Sequence, residues 1–503
     1  MAMEWRVSAI LPLALGILLV AYFVVVIPVY NVYFHPLRKY PGPKLWAASI
    51  VPWLRTFISG EMPTKSLEMH NKYGPIVRTG PNELSFNTAE YWDAVMGHRK
   101  AGQSENMKAA YYVSHDPNAL IFAPRDDHSR QRRMLSRGFS TASMLEKQPI
   151  IRGYVDKLIK QLHERIQKGE TKFNMGMWYN CTTFDIMGDL TFNESFGCLE
   201  AGALHPWVAL IFATIKAAAL QITLQRMPLF KPLLPFLVSP RIIKQSIDHQ
   251  KVTAEKLASR LAQGERPDFF QAMISHKGGL TMTDVELQSN CELIIIAGSE
   301  TVATALSGAS YLLTANPRTL QKLVDEVRSS FAHEDEIDMV STGQLPYLHA
   351  VIEEALRVYP PAPNALAREA PEGGTFILGE HVPAGTILSC QHYSAYHSEV
   401  NFKHPDSFIP ERFMGDAEFA SDRREVLQPF NYGPRNCIGM NLAYAEMRMI
   451  MARIIWNFDL TLAEESRNWF QVNVKGRGFI GWERPPIYIH LKPRDMGSRS
   501  SDN

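Results

Sequence analysis

At 503 residues, with 46% hydrophobic and 20% charged residues, the chain is long enough for one very large core or roughly two to three average domains. A formal net charge of +1 excludes a disordered polyelectrolyte and a protein that holds nucleic acid by a bulk positive field. The five cysteines, Cys181, Cys198, Cys291, Cys390 and Cys437, are scattered with no C-x-x-C pair, which argues against a structural zinc site and fits a reducing compartment.

Residues 7–30 carry no charge and are long enough to cross a bilayer as a helix. A cleaved signal peptide is the alternative, but the apolar run exceeds the usual h-region of roughly 7–15 residues. Arg38, Lys39 and Lys44 follow the run, whereas Arg6 before it is offset by Glu4. The positive-inside rule therefore leaves residues 1–6 in the lumen and puts the bulk of the chain in the cytosol. The N-x-S/T sequons at Asn180 and Asn193 are a check on this orientation, since only a lumenal domain could be glycosylated there.

Tyr40-Pro41-Gly42-Pro43 can continue neither a helix nor a central strand, so residues 31–50 read as a stiff Pro-rich hinge. No linker, repeat or low-complexity tract interrupts the chain beyond it, giving one catalytic domain over 51–495 and a polar tail over 496–503.

Helical periodicity dominates the middle of the chain. Thr283, with Glu286 three residues on, forms a capping-box pattern, and the helix it opens should end before Pro317. The run Leu293-Ile294-Ile295-Ile296-Ala297 is apolar on all sides and predicts a buried centre. Into that centre falls Gly298-Ser299-Glu300-Thr301, polar groups that are costly to bury. Hydroxyls bonding back to the preceding turn are the structural alternative to a chemical role. Residues 375–388 read as short strands with a turn and residues 472–491 as terminal hairpins. The fold class is mainly α with a minor β part.

The segment Phe430-Asn-Tyr-Gly433-Pro-Arg435-Asn-Cys437-Ile-Gly439 sets a cysteine in a glycine-rich loop just ahead of the predicted helix that begins near Asn441. The positive end of that helix favours thiolate over thiol. This F-x-x-G-x-R-x-C-x-G pattern resembles the haem-binding loop of the cytochrome P450 family at every fixed position. The resemblance implies a P450 fold with an N-terminal transmembrane helix and haem b with Cys437 as axial ligand. It makes Phe430 the packing partner of that cysteine and Arg435 a propionate partner, and it places Gly433 and Gly439 where backbone nears the macrocycle. A thiolate pushes electron density to iron and a guanidinium forks onto a carboxylate, so both roles are chemically apt.

Three further segments fall in the family's order. Glu354-Ala-Leu-Arg357 followed by Arg412 in Pro410-Glu-Arg-Phe resembles the buried ion network beneath the haem loop. The same i, i+3 spacing recurs at Glu464-Glu-Ser-Arg467, where it reads as a surface pair. Ala297-Gly298-Ser299-Glu300-Thr301 resembles the acid–alcohol motif over the haem, with Glu300 and Thr301 serving proton delivery and Gly298 leaving room for oxygen. His128-Ser-Arg-Gln-Arg132 stands where many members have Trp-x-x-x-Arg, so Arg132 and, by substitution, His128 are implied propionate contacts. Arg368 matches another such arginine, with an ordinary surface arginine as the alternative.

Gly476-Arg-Gly478-Phe-Ile-Gly481 fits the dinucleotide fingerprint, but no helix can open into Trp482-Glu-Arg-Pro485-Pro486. Electrons are therefore expected from a separate NADPH-cytochrome P450 reductase, with cytochrome b5 as an accessory donor. Arg130, Arg132, Arg133 and Arg137 form a candidate docking run, with a solvated helical face as the alternative.

By resemblance, substrate contacts fall at 101–122, 209–238, 293–301 and 361–366, and the apolar stretch 229–238 could dip into the membrane. The opening Tyr-Asn-Val-Tyr-Phe-His-Pro-Leu-Arg-Lys-Tyr-Pro-Gly-Pro and the stretch around Asp127-His128 resemble fungal microsomal P450s of secondary metabolism. The implied function is a single-pass endoplasmic-reticulum monooxygenase acting on a small lipophilic terpenoid or polyketide intermediate, with O2 as co-substrate and no nucleic-acid partner. A haem-thiolate isomerase or dehydratase and a non-catalytic haem-binding protein are the rival functions.

Overall fold

The computed structural model describes residues 14–100, 102–113, 116–206, 220–227, 240–274, 279–364 and 366–495. The expected lumenal residues 1–6, the polar tail 496–503 and most of the two apolar stretches within 209–238 lie outside the described residues. Helix α1, Ala14–Tyr33, is long and apolar enough to cross a membrane, and its apolar side chains face outward.

The Pro-rich segment after α1 is docked against the domain. Asn31, buried within α1, donates to the Ala48 carbonyl at 3.0 Å and accepts from the buried Arg78 at 2.8 Å. Leu37 is fully buried, and short helices at Pro36–Lys39 and Lys44–Ala48 lead directly into the body of the protein. Gly42 permits this close seat, because a Cβ there would lie 2.4 Å from the Arg78 carbonyl oxygen. Residues 31–50 therefore form a packed joint where a hinge was expected.

The helical core is built from α2 (Arg125–Gly138), α3 (Thr141–Gln167), α4 (Met175–Phe192), α5 (Asp284–Ala315), α6 (Pro346–Val358) and α7 (Met440–Asn457). Helix α5 has both bonds of the capping box between Thr283 and Glu286 and stops before Pro317, as its sequence predicts. It packs along α4 through the core, where Ser299 donates to the Thr183 carbonyl at 3.2 Å. Asn180 is buried on α4, so of the two sequons only the exposed Asn193 can report on membrane orientation.

The sheet part is small. Strands β1 (Ile76–Gly80), β2 (Glu83–Phe86), β3 (Met107–Lys108), β4 (Arg368–Glu369) and β5 (Ile387–Cys390) form one sheet in the order β1-β2-β5-β4-β3. Thr375–Ile377 and Glu380–Val382 form the expected hairpin. The terminal hairpins expected at 472–491 are mostly absent, because Trp469–Val474 is helical and buries Trp469 and Val474. Its neighbour Tyr488–Pro493 pairs instead with Phe458–Leu462 and Lys172–Asn174. Gly478 opens a tight turn closed by its bridge to Trp482, with no helix after it.

A buried charge cluster pins this framework. Glu354 accepts from Arg357 at 2.7 and 2.9 Å and from Arg412 at 3.0 Å, and all three side chains are sealed from solvent. Asp422, invisible to the sequence reading, pairs with Arg412 and balances the second guanidinium. Arg357 also donates to the carbonyls of Tyr396, Pro405 and Ser407 at 2.8, 2.6 and 2.9 Å. The Tyr396 hydroxyl then accepts from the Gln428 amide at 3.0 Å, two residues before the cysteine loop begins at Phe430.

By contrast, the Glu464–Arg467 pair closes at 2.7 Å with about seven-tenths of each side chain in solvent. Replacing Arg412 with Leu strands the buried Asp422 carboxylate, leaves Glu354 with Arg357 alone, and is expected to cost about 3–5 kcal/mol in urea unfolding. Arg467→Ala, with the same local spacing, should leave the midpoint where it is.

Candidate active site

The cysteine loop is shaped by its backbone. A 3-10 turn over Gly433–Arg435 and a 2.7 Å bond from the Cys437 amide to the Phe430 carbonyl present the thiol two residues ahead of Gly439, the cap of α7. Burial pushes the Cys437 thiol up, while the Gly439 amide and the Arg132 guanidinium pull it down toward thiolate. Phe430 packs on Tyr444 with ring centroids 4.9 Å apart. Gly433 plays a different part from the one expected. It has φ near +75°, does not line the cavity, and a Cβ there would fall 2.0 Å from the Met96 carbonyl oxygen. Its lack of a side chain lets the loop meet the Trp92–Met96 turn.

Cys437 opens into an internal cavity between α5 and α7. Leu293, Ile294, Ala297, Gly298, Thr301 and Val302 of α5 line its apolar side. The expected substrate segments contribute Lys108, Leu120 and Ile121 from the first, and Pro361, Ala362, Asn364 and Leu366 from the last. Residues 220–227, the described part of 209–238, do not line it.

The residues of the acid–alcohol motif separate, because neighbours on an α-helix point about 100° apart. Thr301 lines the cavity and donates to the Ala297 carbonyl at 2.6 Å. Glu300 does not line it. Its carboxylate accepts from Arg484 at 2.8 and 2.9 Å and from Thr304 at 3.3 Å. Arg484, missed in the sequence because it sits beside the decoy glycines, also donates to Ser307 and Asn180. Burial pushes the Glu300 carboxyl up against the pull of Arg484. A Cβ on Gly298 would meet the Met187 thioether at 2.8 Å, so this glycine chiefly lets α5 approach α4.

Positive charge gathers on one side. Arg132 bonds both the carbonyl and the side-chain oxygen of Asn436 in the cysteine loop. Arg435 pairs with Glu105 at 2.6 Å and donates to the Ala123 carbonyl at 3.1 Å. Arg368 is only 2% exposed, which removes the surface alternative. It donates to the Met96 sulfur at 2.9 Å and leaves one terminal nitrogen with no hydrogen-bond partner.

His128 is buried on the cavity wall, and burial followed by Arg435, Lys108, Arg132 and Arg368 lowers its pKa to about 3. It is therefore neutral at physiological pH and keeps one N–H to donate. Lys108, which no motif announced, also reaches the cavity. The candidate docking run is shortened. Arg130 is spent on Asp127, Glu286 and the Thr281 carbonyl, and Arg132 on Asn436.

A thiol at a helix start, an apolar wall facing it, and a cationic rim with an orphaned guanidinium nitrogen fit a flat, dianionic macrocycle bound through iron. The cytochrome P450 family model matches residues 40–489, and the chain belongs to that family. The match begins inside the segment read as a hinge, in keeping with its packed state. The chain is 43% identical to the trichothecene C-15 hydroxylase of Fusarium sporotrichioides, over 94% of this chain and 96% of the relative. It is 43% identical to the cytochrome P450 monooxygenase astA of Talaromyces wortmannii, over 96% and 98% of the two chains. Averantin hydroxylase of Dothistroma septosporum is 40% identical over 93% and 89%. The protein is a P450 monooxygenase, an oxidoreductase that uses O2 and a redox partner and resembles fungal enzymes of secondary metabolism.

Replacing Arg484 with Met leaves Glu300 buried without its counter-charge. Its carboxyl pKa then rises further above the ordinary 4.5, so the unfolded state releases its proton at lower pH than the folded state does. The variant should lose stability progressively as pH rises from 4.5 toward neutrality, in thermal melts across that range. The double variant Glu300→Gln/Arg484→Met should remove the slope.

Proposed function

We propose that the chain is a membrane-anchored haem-thiolate monooxygenase. It inserts one oxygen atom from O2 into a small lipophilic intermediate of terpenoid or polyketide type, with NADPH electrons delivered by a separate cytochrome P450 reductase. The observation that carries this reading is Cys437 at the start of α7, facing an almost wholly apolar wall of α5 across one cavity. Two relatives are named for hydroxylations, one of a trichothecene and one of averantin, which supports a substrate of that general kind.

Haem b, held by Cys437, supplies the reductive activation of O2. Arg132, Arg435, Arg368 and His128 hold its carboxylates, and Phe430 and Gly439 border the thiolate side. Leu293, Ile294, Val302 and Leu366 exclude water and orient the substrate by shape. Thr301 donates a hydrogen bond to the Ala297 carbonyl and keeps its oxygen lone pairs toward the cavity, where Oγ1 accepts a hydrogen bond and so orients a proton donor. Glu300 is a proton source on the far side of α5, and its carboxylate reaches that path when its pairing with Arg484 opens.

Helix α1 anchors the protein in the endoplasmic reticulum membrane in a single pass, with the catalytic domain in the cytosol and Arg133 and Arg137 on the reductase-facing side. Cytochrome b5 is an accessory donor at the same face. Purified protein, a fungal P450 reductase and NADPH, given panels of terpenoid and polyketide intermediates, should yield a product heavier by one oxygen whose label comes from 18O2. Thr301→Ala should lower product per NADPH consumed by about tenfold. A product that forms without NADPH would instead favour an isomerase or dehydratase.

A further inference from the structure

Asn290 sets a side-chain amide among the apolar residues with which α5 lines the cavity, and it is sealed from solvent. A free amide there would bind a polar group of the substrate, but this one is committed. Its Nδ2 donates to the Glu286 carbonyl at 2.8 Å and to Gln131 Oε1 at 3.2 Å, with the Asn118 carbonyl at 3.4 Å. Its Oδ1 accepts from the Leu120 amide at 2.9 Å. A primary amide has two N–H bonds to give, and both are spent. The partners also fix its orientation, since carbonyls face the nitrogen and an N–H faces the oxygen.

Two of these partners belong to the loop 116–123, which forms neither helix nor strand yet supplies Leu120 and Ile121 to the cavity. Gln131 of α2, fully buried and outside the cavity lining, holds the same loop by donating to the Asn118 carbonyl at 2.9 Å. It also donates to the Glu286 carboxylate at 3.1 Å, so α2 and α5 grip the loop together. Past Leu120 the loop is tied through other carbonyls, Ile121 to Lys108 and Ala123 to Arg435. Beyond its own turn bonds at Asp116, the stretch from Asn118 to Leu120 rests on Asn290 and Gln131.

We infer that Asn290 is a positioning residue for substrate choice: by holding the Leu120 amide it fixes the part of the cavity wall made by Leu120 and Ile121. This inference rests on the haem-thiolate reading of the cavity and adds the device that shapes its substrate side. The ligands it favours are rigid and lipophilic, because a preformed apolar wall pays no ordering entropy when they bind. A loose loop at the same place would accept many ligands and fit none of them closely.

The test reads azole binding to the haem-loaded, full-length protein from the shift of its Soret band. Imidazole is small enough to reach the iron without filling the cavity, whereas clotrimazole must fit against its walls. A wall in place only part of the time lowers apparent affinity by that fraction. Asn290→Leu and Gln131→Met should each raise the clotrimazole Kd about tenfold and leave the imidazole Kd unchanged. Gln131 does not line the cavity, so its effect travels through the loop, and direct contact between Asn290 and the ligand predicts none. Should Asn290→Leu not fold, Asn290→Asp takes its place, keeping the acceptor for Leu120 while turning an oxygen toward the two carbonyls. An unchanged clotrimazole Kd in either the Asn290 or the Gln131 variant overturns the assignment, and so does equal weakening of both azoles. Haem-loaded protein that binds neither azole would overturn the reading of the whole cavity, a result distinct from failure at Asn290.

Discussion

The carboxylate of Glu354, shared by two guanidiniums in the dry centre of the protein, is the contact on which the site's geometry rests. Burying ions costs several kcal/mol each, and mutual attraction repays this only when the remaining donors are also satisfied. The protein meets that condition by letting Arg357 bond three carbonyls and by giving Arg412 a second acid, Asp422. The same bonds hold the chain from Tyr396 to Ser407, and Tyr396 passes the constraint to Gln428 and so to the cysteine loop. A loop fixed only by its own turn would leave the thiol free to move by the ångström or so that decides whether a metal ligand is in place.

Electrostatics on the two sides of the cavity are opposed by design of the sequence. Toward α5 the wall is mainly apolar, and the Glu300 carboxylate is turned away and paired with Arg484. Toward β3, α2 and the cysteine loop the wall carries Lys108, Arg132 and Arg435, with Arg368 buried opposite Lys108 and Glu105 paired to Arg435. A bound group must therefore carry its negative charge at one edge and offer an apolar face to the other. That asymmetry, together with the thiol, fits the haem cofactor that the family implies.

Much of this was readable in the sequence where the chemistry is local. The cysteine loop, the capping box at Thr283 and the ordered ion network lie in short segments whose residue types leave few alternatives. The two E-x-x-R copies show the limit, because identical spacing is fully buried at 354–357 and exposed at 464–467. Only chain order separated them before the fold was known. Partners that arrive from distant segments were not legible. Arg484, Asp422 and Lys108 each meet their neighbours through tertiary folding, and no periodicity marks them. The hinge misread at residues 31–50 has the same origin. Prolines forbid a continuous helix there, but only the fold reveals that Asn31 and Arg78 lock the broken segment to the domain.

The most direct test of the central claim is the reduced carbon-monoxide difference spectrum of the haem-loaded, full-length protein. A thiolate ligand at Cys437 predicts the strongly red-shifted Soret band that gives the family its name, and its loss in Cys437→His with haem still bound. The same red-shifted band in the Cys437→His protein, or its absence from folded, haem-loaded unmodified protein, would contradict the account.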